Sequence, residues 1–198
     1  MKILFLHGLE SGPHGSKYQA LTWMFGDVLS PDCAGVKDES ERLDIIQQQL
    51  ATEKEPVLVV GSSMGGLMAL LLNQASPEKV AGMVLCAPAI HRPAAKDLDV
   101  EKLPPTLVIH GTADTIVPFS CSAVFGERLI AVDDDHRLSN SMAEILRAVF
   151  DMKLMFFRKH RMNNAVSDSE TSNFSQDQEN QGFARRRSTL RRTSKTAD

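Results

Sequence analysis

Six short segments rich in aliphatic residues constrain the fold most. They lie at Ile3–Leu6, Asp27–Leu29, Val57–Val60, Val80–Cys86, Thr106–Ile109 and Arg128–Val132. A strand with one face in water alternates apolar and polar residues, whereas a strand covered by helices on both faces does not. Because these segments show no such alternation, they predict a mainly parallel sheet of about six strands.

Segments with helical spacing separate the predicted strands. They lie at Ser16–Phe25, Glu41–Thr52, Met64–Gln74 and 141–150. Asp38 followed by Glu41 resembles a capping box, which marks a helix start. Alternating strands and helices are typical of a doubly wound α/β domain, with helices on both faces of the sheet.

A G-x-S-x-G motif stands between the third predicted strand and the helix that follows it. The motif is Gly61-Ser62-Ser63-Met64-Gly65. In this context it predicts a sharp strand-to-helix turn that exposes the serine hydroxyl, so Ser63 is the candidate nucleophile. Gly61 and Gly65 are the elbow glycines, where a Cβ would meet neighbouring backbone.

A serine nucleophile needs a base, and the base needs an acid to orient it. On this kind of turn the order along the chain is serine, acid, histidine. Asp114 is the only carboxylate in the loop after the predicted strand Thr106–Ile109, and His136 follows the last predicted strand. We therefore predict Asp114 as the acid and His136 as the general base. An ordinary histidine, with a pKa of about 6.5, suits proton transfer near neutrality.

The run Asp133-Asp134-Asp135 leaves two alternatives beside this assignment. One of these carboxylates would compete with Asp114 as the acid, or the run would bind a metal together with His136. They stand too close to His136 in sequence to orient its ring easily. A solvated turn is the preferred interpretation, and no metal or cofactor is expected.

An oxyanion hole needs two backbone N–H groups. In this arrangement the residue after the nucleophile supplies one, and the loop after an earlier strand supplies the other. Met64 fits the first position. In the loop that begins at His7-Gly8, we predict Leu9 for the second.

Four sequence blocks together resemble the α/β-hydrolase superfamily. They are His7-Gly8, Gly61-Ser62-Ser63-Met64-Gly65-Gly66, His110-Gly111-Thr112-Ala113-Asp114 and Asp135-His136-Arg137-Leu138. The first two blocks are similar to those of small bacterial YqiA-like esterases. The resemblance covers about residues 1–150. It implies hydrolysis of carboxylic esters or thioesters through an acyl-enzyme, without a cofactor and with a short lid or none.

The character of the chain changes near Lys159. We predict a hydrolase domain at residues 1–158 and a disordered polar and basic tail at residues 159–198, which has too few apolar residues to order itself. Two arginine clusters, at Arg185–Arg187 and Arg191–Arg192, are the only feature suited to RNA. No aromatic residue stands between them to stack on bases, so a nucleic-acid partner is not favoured.

Composition points to the cytoplasm. Three widely spaced cysteines do not form a disulfide framework. The apolar run at residues 3–6 is too short for a secretory signal, and no run is long enough for a membrane span. The oligomeric state is open.

The sequence leaves three functional hypotheses. The first is an esterase or thioesterase acting on small acyl groups. The second uses the same three residues on another bond, an amide or an activated carbon–carbon bond. The third is a non-catalytic protein that binds through its basic tail. The set of Ser63, Asp114 and His136 argues against the third hypothesis, because a binding module has no need of it.

Overall fold

A parallel sheet of six strands lies at the centre of the part of the chain that the structure describes. The computed structural model describes residues 1–159 and 161–162. The strands are β1 (Ile3–Leu6), β2 (Val28–Leu29), β3 (Val57–Ser62), β4 (Val80–Cys86), β5 (Thr106–Gly111) and β6 (Leu129–Val132). Their order across the sheet is β2-β1-β3-β4-β5-β6, and every neighbouring pair is parallel. The predicted α/β fold with a parallel sheet is confirmed.

Helices connect the strands much as the sequence predicts. They are α1 (Ser16–Phe25), α2 (Glu39–Leu50) and α3 (Met64–Ala75), and residues 142–153 are also helical. Helix α2 begins two residues before the predicted start. The Asp38 carboxylate caps it by accepting a hydrogen bond from the N–H of Glu41, at 2.9 Å.

The central strands are buried on both faces, which explains their uninterrupted apolar sequences. Every residue of β1 is buried, as are the first five residues of β3. Side chains from α2 and α3, among them Ile46 and Leu67, join the strands in one apolar core. Strand β6 lies at the edge of the sheet and is half-exposed, because it has a neighbour on one side only.

The strand order places two loops side by side. Strands β1 and β3 are neighbours, although α1, β2 and α2 separate them along the chain. In an open α/β sheet, the crevice at such a switch in strand order, beyond the carboxyl ends of the strands, is where ligands bind. The loop after β1 and the turn after β3 therefore meet at one edge of the sheet.

The segment that connects β4 to β5 along the chain has little regular structure. Residues 87–105 contain two helical turns of the 3₁₀ type, Pro93–Ala95 and Val100–Lys102. This agrees with the short lid that the sequence predicts. A longer 3₁₀ segment, Phe119–Arg128, follows β5 and is kinked at Gly126, where φ is 56°.

Two units are distinguished along the chain, Met1–Lys153 and the residues from Leu154 onward. All six strands belong to the first unit. In the second unit, residues 154–159 and 161–162 are helical. The predicted disordered tail lies almost entirely outside the described residues, and the boundary at residue 158 stays a prediction. None of the helices in the described part of the chain is long and apolar enough to span a membrane.

Candidate active site

Ser63 lies at the apex of the turn between β3 and α3, in a strained backbone conformation. Its φ is 54° and its ψ is −115°, a region that residues other than glycine rarely adopt. Backbone hydrogen bonds hold it there. The N–H of Ser63 donates to the carbonyl oxygen of Cys86 at 2.8 Å, and its carbonyl oxygen accepts from Gly66 at 2.9 Å and Ala89 at 3.1 Å.

The elbow glycines allow backbone segments to pack without an intervening side chain. A Cβ on Gly61 would overlap the backbone of Gly65, and a Cβ on Gly65 would overlap the carbonyl oxygen of Leu6. Because those atoms belong to backbone, they cannot move aside cheaply. Gly61 thus lets the end of β3 lie against the start of α3, and Gly65 lets α3 lie against the end of β1.

Ser63, His136 and Asp114 form one chain of hydrogen bonds. The Nε2 atom of His136 lies 2.9 Å from the hydroxyl oxygen of Ser63, and its Nδ1 atom lies 2.7 Å from Oδ2 of Asp114. The structure thus brings together three side chains from three loops, which follow β3, β5 and β6. In this arrangement Nδ1 carries the proton and donates to Asp114, so Nε2 is free to accept the serine proton.

The Asp114 carboxylate is fully buried, and both of its oxygen atoms accept hydrogen bonds. Oδ1 accepts hydrogen bonds from the N–H groups of Ile116 and Val117, at 2.8 and 2.9 Å. Oδ2 lies between His136 and the ring nitrogen Nε2 of His110, which is 3.0 Å away. Burial raises the pKa of Asp114, but the hydrogen bonds from His136 and the two backbone amides outweigh it and bring this pKa below its usual value.

The three consecutive aspartates do not share one role. Asp133 and Asp135 are exposed, as expected for a solvated turn, but the interpretation is wrong for Asp134, which is 6 % exposed. Its Oδ2 accepts hydrogen bonds at 2.9 Å from the N–H of Asn140 and from both the N–H and the hydroxyl of Ser141. Asp134 therefore ties the loop that carries His136 to the start of the last helix. Among the described residues, no group of three His, Cys, Asp or Glu is arranged to hold a metal ion.

We expect Asp134→Asn to lower the free energy of unfolding at pH 7 by about 3 kcal/mol, since an amide cannot accept all of these hydrogen bonds. Burial raises the pKa of Asp134, but the hydrogen bonds outweigh it and leave this pKa below its usual value. A carboxyl with a lowered folded pKa stabilises the fold above its unfolded pKa, and that stabilisation disappears as the pH falls through the folded pKa.

Urea unfolding at several pH values measures this effect. The difference between the wild type and the variant should shrink below about pH 4, where the unfolded carboxyl takes up its proton. Asp133→Asn, at the exposed neighbour, is the matched control and should change little. An equal difference at pH 7 and pH 3 would contradict this account.

The predicted oxyanion residues line the same cleft as Ser63. This cleft has a volume of about 630 Å³. Its wall includes Gly8 and Leu9 from the loop after β1, together with Ser63, Met64 and His136. Met64 is the first residue of α3, where a backbone N–H has no partner within the helix. Among the described residues the N–H of Leu9 also has no backbone acceptor.

Three residues around the site were not predicted from the sequence. His110 touches the Asp114 carboxylate, Asp134 anchors the histidine loop, and Arg42 lies buried beneath the loop after β1. His110 belongs to the same sequence block as Asp114, and this proximity could have identified it as a neighbour of the acid. Arg42 stands on an amphipathic helix, where a charged residue ordinarily faces water.

A family model described as serine aminopeptidase, S33 matches residues 34–104. This segment is about a third of the chain and contains the turn with Ser63 but neither Asp114 nor His136. No curated protein sequence matches the chain.

Solved structures of α/β hydrolases match most of the chain. Est1E from Butyrivibrio proteoclasticus is 16 % identical with a TM-score of 0.64, over 77 % of this chain and 88 % of that one. Alpha/beta hydrolase domain-containing protein 10 from mouse is 18 % identical with a TM-score of 0.63, over 78 % and 90 %. A monoacylglycerol lipase from Paleococcus ferrophilus is 18 % identical with a TM-score of 0.58, over 76 % and 92 %.

The structural likeness covers about three quarters of the chain, and the family model covers the turn that bears Ser63. The finer resemblance to YqiA-like esterases is not tested by these matches and stays a prediction. The parallel six-stranded sheet and the structural neighbours agree on one conclusion: the chain has the fold of the α/β hydrolases.

Proposed function

We propose that this protein is a serine hydrolase that cleaves carboxylic esters or thioesters of small acyl groups through an acyl-enzyme. The observation that carries the proposal is the continuous hydrogen-bonded chain from Ser63 through His136 to Asp114, with distances of 2.9 and 2.7 Å. The strained serine at the mouth of a cleft supports it further, because strain at a non-glycine residue is found mainly at functional sites.

Acylation begins when His136 takes the proton of the Ser63 hydroxyl as the serine oxygen attacks the carbonyl carbon of the substrate. The imidazolium that forms is stabilised by the Asp114 carboxylate, which keeps its own charge. The N–H groups of Leu9 and Met64 bind the oxyanion of the tetrahedral intermediate. His136 then gives its proton to the leaving alcohol or thiol, and the acyl group stays on Ser63.

Deacylation repeats these steps with water. His136 removes a proton from a water molecule, which attacks the acyl carbon and forms a second tetrahedral intermediate. As this intermediate collapses, the carboxylic acid leaves and Ser63 recovers its proton from His136. The proton of Ser63 leaves with the alcohol or thiol and a proton of water replaces it, so His136 ends the cycle in its starting state.

A fluorophosphonate probe tests the proposed nucleophile directly. It reacts with activated serines, so mapping of the labelled peptide should identify Ser63 among all the serines of the chain. Hydrolysis of a short p-nitrophenyl ester and of the matching thioester should be lost in proportion to labelling. Label on another serine, or hydrolysis that persists after complete labelling, would reject the proposal.

We expect a preference for short acyl groups. The segment over the cleft between β4 and β5 is only two helical turns, and the apolar rim residue Ile116 is 63 % exposed. A buried methylene would contribute about 0.8 kcal/mol of binding, but the carbons of a longer chain would remain in water here. In a series of p-nitrophenyl esters, kcat/KM should therefore stop rising after the first few carbons. A steady rise to long chains would contradict the expectation.

A further inference from the structure

Arg42 is the largest fully buried side chain that carries a charge. It lies on α2, is 1 % exposed, and has no carboxylate within 4 Å among the described residues. Glu39, three positions earlier on the same helix, pairs instead with Arg92 at 2.9 Å. Burying a charge is costly unless hydrogen bonds compensate it. The hydrogen bonds of the Arg42 guanidinium must therefore compensate the cost of burying its charge.

Within the described residues, the guanidinium binds backbone carbonyl oxygens and no side chain. Nε donates to Val36 at 2.7 Å, Nη2 to Cys33 at 3.1 Å, and Nη1 to His7 at 3.3 Å. A longer contact of 3.5 Å joins Nη2 to the carbonyl oxygen of Gly8. Arg42 thus connects the segment at residues 33–36 to the loop that follows β1.

His7 completes this connection. Its Nε2 accepts a hydrogen bond from the N–H of Cys33 at 3.0 Å, so in the neutral ring the proton is on Nδ1. Nδ1 then donates to the carbonyl oxygen of Gly8 at 2.8 Å. Two carbonyl groups in succession, those of His7 and Gly8, are therefore held toward the protein interior.

The peptide bond transmits this constraint to the cleft. A trans peptide is planar, and its C=O and N–H groups point in opposite directions. The carbonyl of Gly8 and the N–H of Leu9 belong to the same peptide. Because the Gly8 oxygen is held inward by His7 and Arg42, the Leu9 N–H is directed outward, and Leu9 lines the cleft that contains Ser63.

We propose that Arg42 is a positioning residue for the oxyanion hole, holding the His7–Gly8 carbonyls so that the N–H of Leu9 faces the reacting carbonyl group. The inference rests on the proposed hydrolase function. It assigns a chemical purpose to a buried cation that has no acidic partner in the described structure. It also predicts that loss of Arg42 lowers kcat and leaves KM nearly unchanged, because an oxyanion forms in the transition state and is absent from bound substrate.

Arg42→Lys and Arg42→Met test the inference on the full chain. A lysine keeps the charge but cannot reach carbonyl groups on several sides, and a methionine removes the donors. Loss of an oxyanion donor costs about 10²–10³ in kcat, so loss of its support should lower kcat roughly 10- to 100-fold. KM should stay nearly constant. The inhibition constant of a trifluoromethyl ketone, which forms a tetrahedral oxyanion on serine, should rise by a similar factor.

Ile46→Ala is the matched control. Ile46 lies on the same helix and is 1 % exposed, but it belongs to the apolar core. It should lower the melting temperature while leaving kcat and the trifluoromethyl ketone constant near their wild-type values. If Ile46→Ala lowered kcat as much as Arg42→Lys at equal loss of stability, the role of Arg42 would be structural only and the inference would be overturned.

The outcomes separate this inference from the proposed function. If the wild type hydrolyses the ester, Ser63→Ala does not, and a folded Arg42→Lys keeps both kcat and the inhibition constant, the inference alone fails. If Ser63→Ala is fully active, the proposed function fails first. If neither Arg42 variant folds, NMR of the wild type decides. The Leu9 amide proton should then move downfield when the trifluoromethyl ketone binds, and an unmoved Leu9 resonance would overturn the inference.

Discussion

Replacing Ser63 with alanine should lower kcat for a short-chain p-nitrophenyl ester by about 10⁶-fold, because Ser63 is the cleft serine whose hydroxyl is hydrogen-bonded to His136. The backbone at this position should keep its strained conformation. Its hydrogen bonds to Cys86, Gly66 and Ala89 use the main chain and do not involve the hydroxyl. Steady-state kinetics with the purified variant measures the loss, and circular dichroism checks the fold.

Ser120→Ala is a suitable control for the Ser63 variant. Ser120 is exposed and lies outside the cleft, so its removal should change neither turnover nor fluorophosphonate labelling. Wild-type turnover in Ser63→Ala would show that the nucleophile had been assigned wrongly. Loss of both activity and fold would show that the side chain supports the turn itself.

Replacing His136 with glutamine should lower kcat by a similar factor of about 10⁶, because Ser63 then has no base. Glutamine has a comparable length and can still donate toward Asp114, so the loop should remain in place. The wild-type rate should fall in acid, since a protonated His136 cannot accept the serine proton. The small residual rate of the variant should lack this acid dependence.

His110 is the informative comparison for the histidine variant. It also touches Asp114, at 3.0 Å, but its Nδ1 faces the hydroxyl of Ser122 at 2.7 Å, and it is completely buried. A variant such as His110→Gln should retain the acid dependence of the rate even if its overall rate falls. Retained activity in His136→Gln, with the acid dependence lost in His110→Gln, would show that His110 and not His136 is the general base.

The proposed catalytic set could be identified from the sequence because local sequence carries its signals. The strained turn needs glycines at fixed offsets from Ser63, and those offsets are visible along the chain. The loops with Asp114 and His136 each follow an aliphatic run, and parallel strands place such loops at one edge of the sheet.

The supporting residues were not predictable from local sequence. Arg42 occupies a helix whose pattern predicts one apolar face, and nothing nearby in the sequence shows that carbonyl groups from residues 7 and 33 meet it. Asp134 stands in a run of three aspartates, yet it alone is buried, because its carboxylate accepts hydrogen bonds from the N–H groups of Asn140 and Ser141.

The sequence by itself determined which segments become strands and helices, and which serine stands at the sharp turn, because these depend on neighbours a few residues apart. The order of the strands, the meeting of the loops after β1 and β3, and the burial of Arg42 were decided only by the tertiary structure. The physical reason is that a buried charge or carboxylate is stable only where its hydrogen-bonding partners converge. Here those partners come from segments that the chain brings together only by folding.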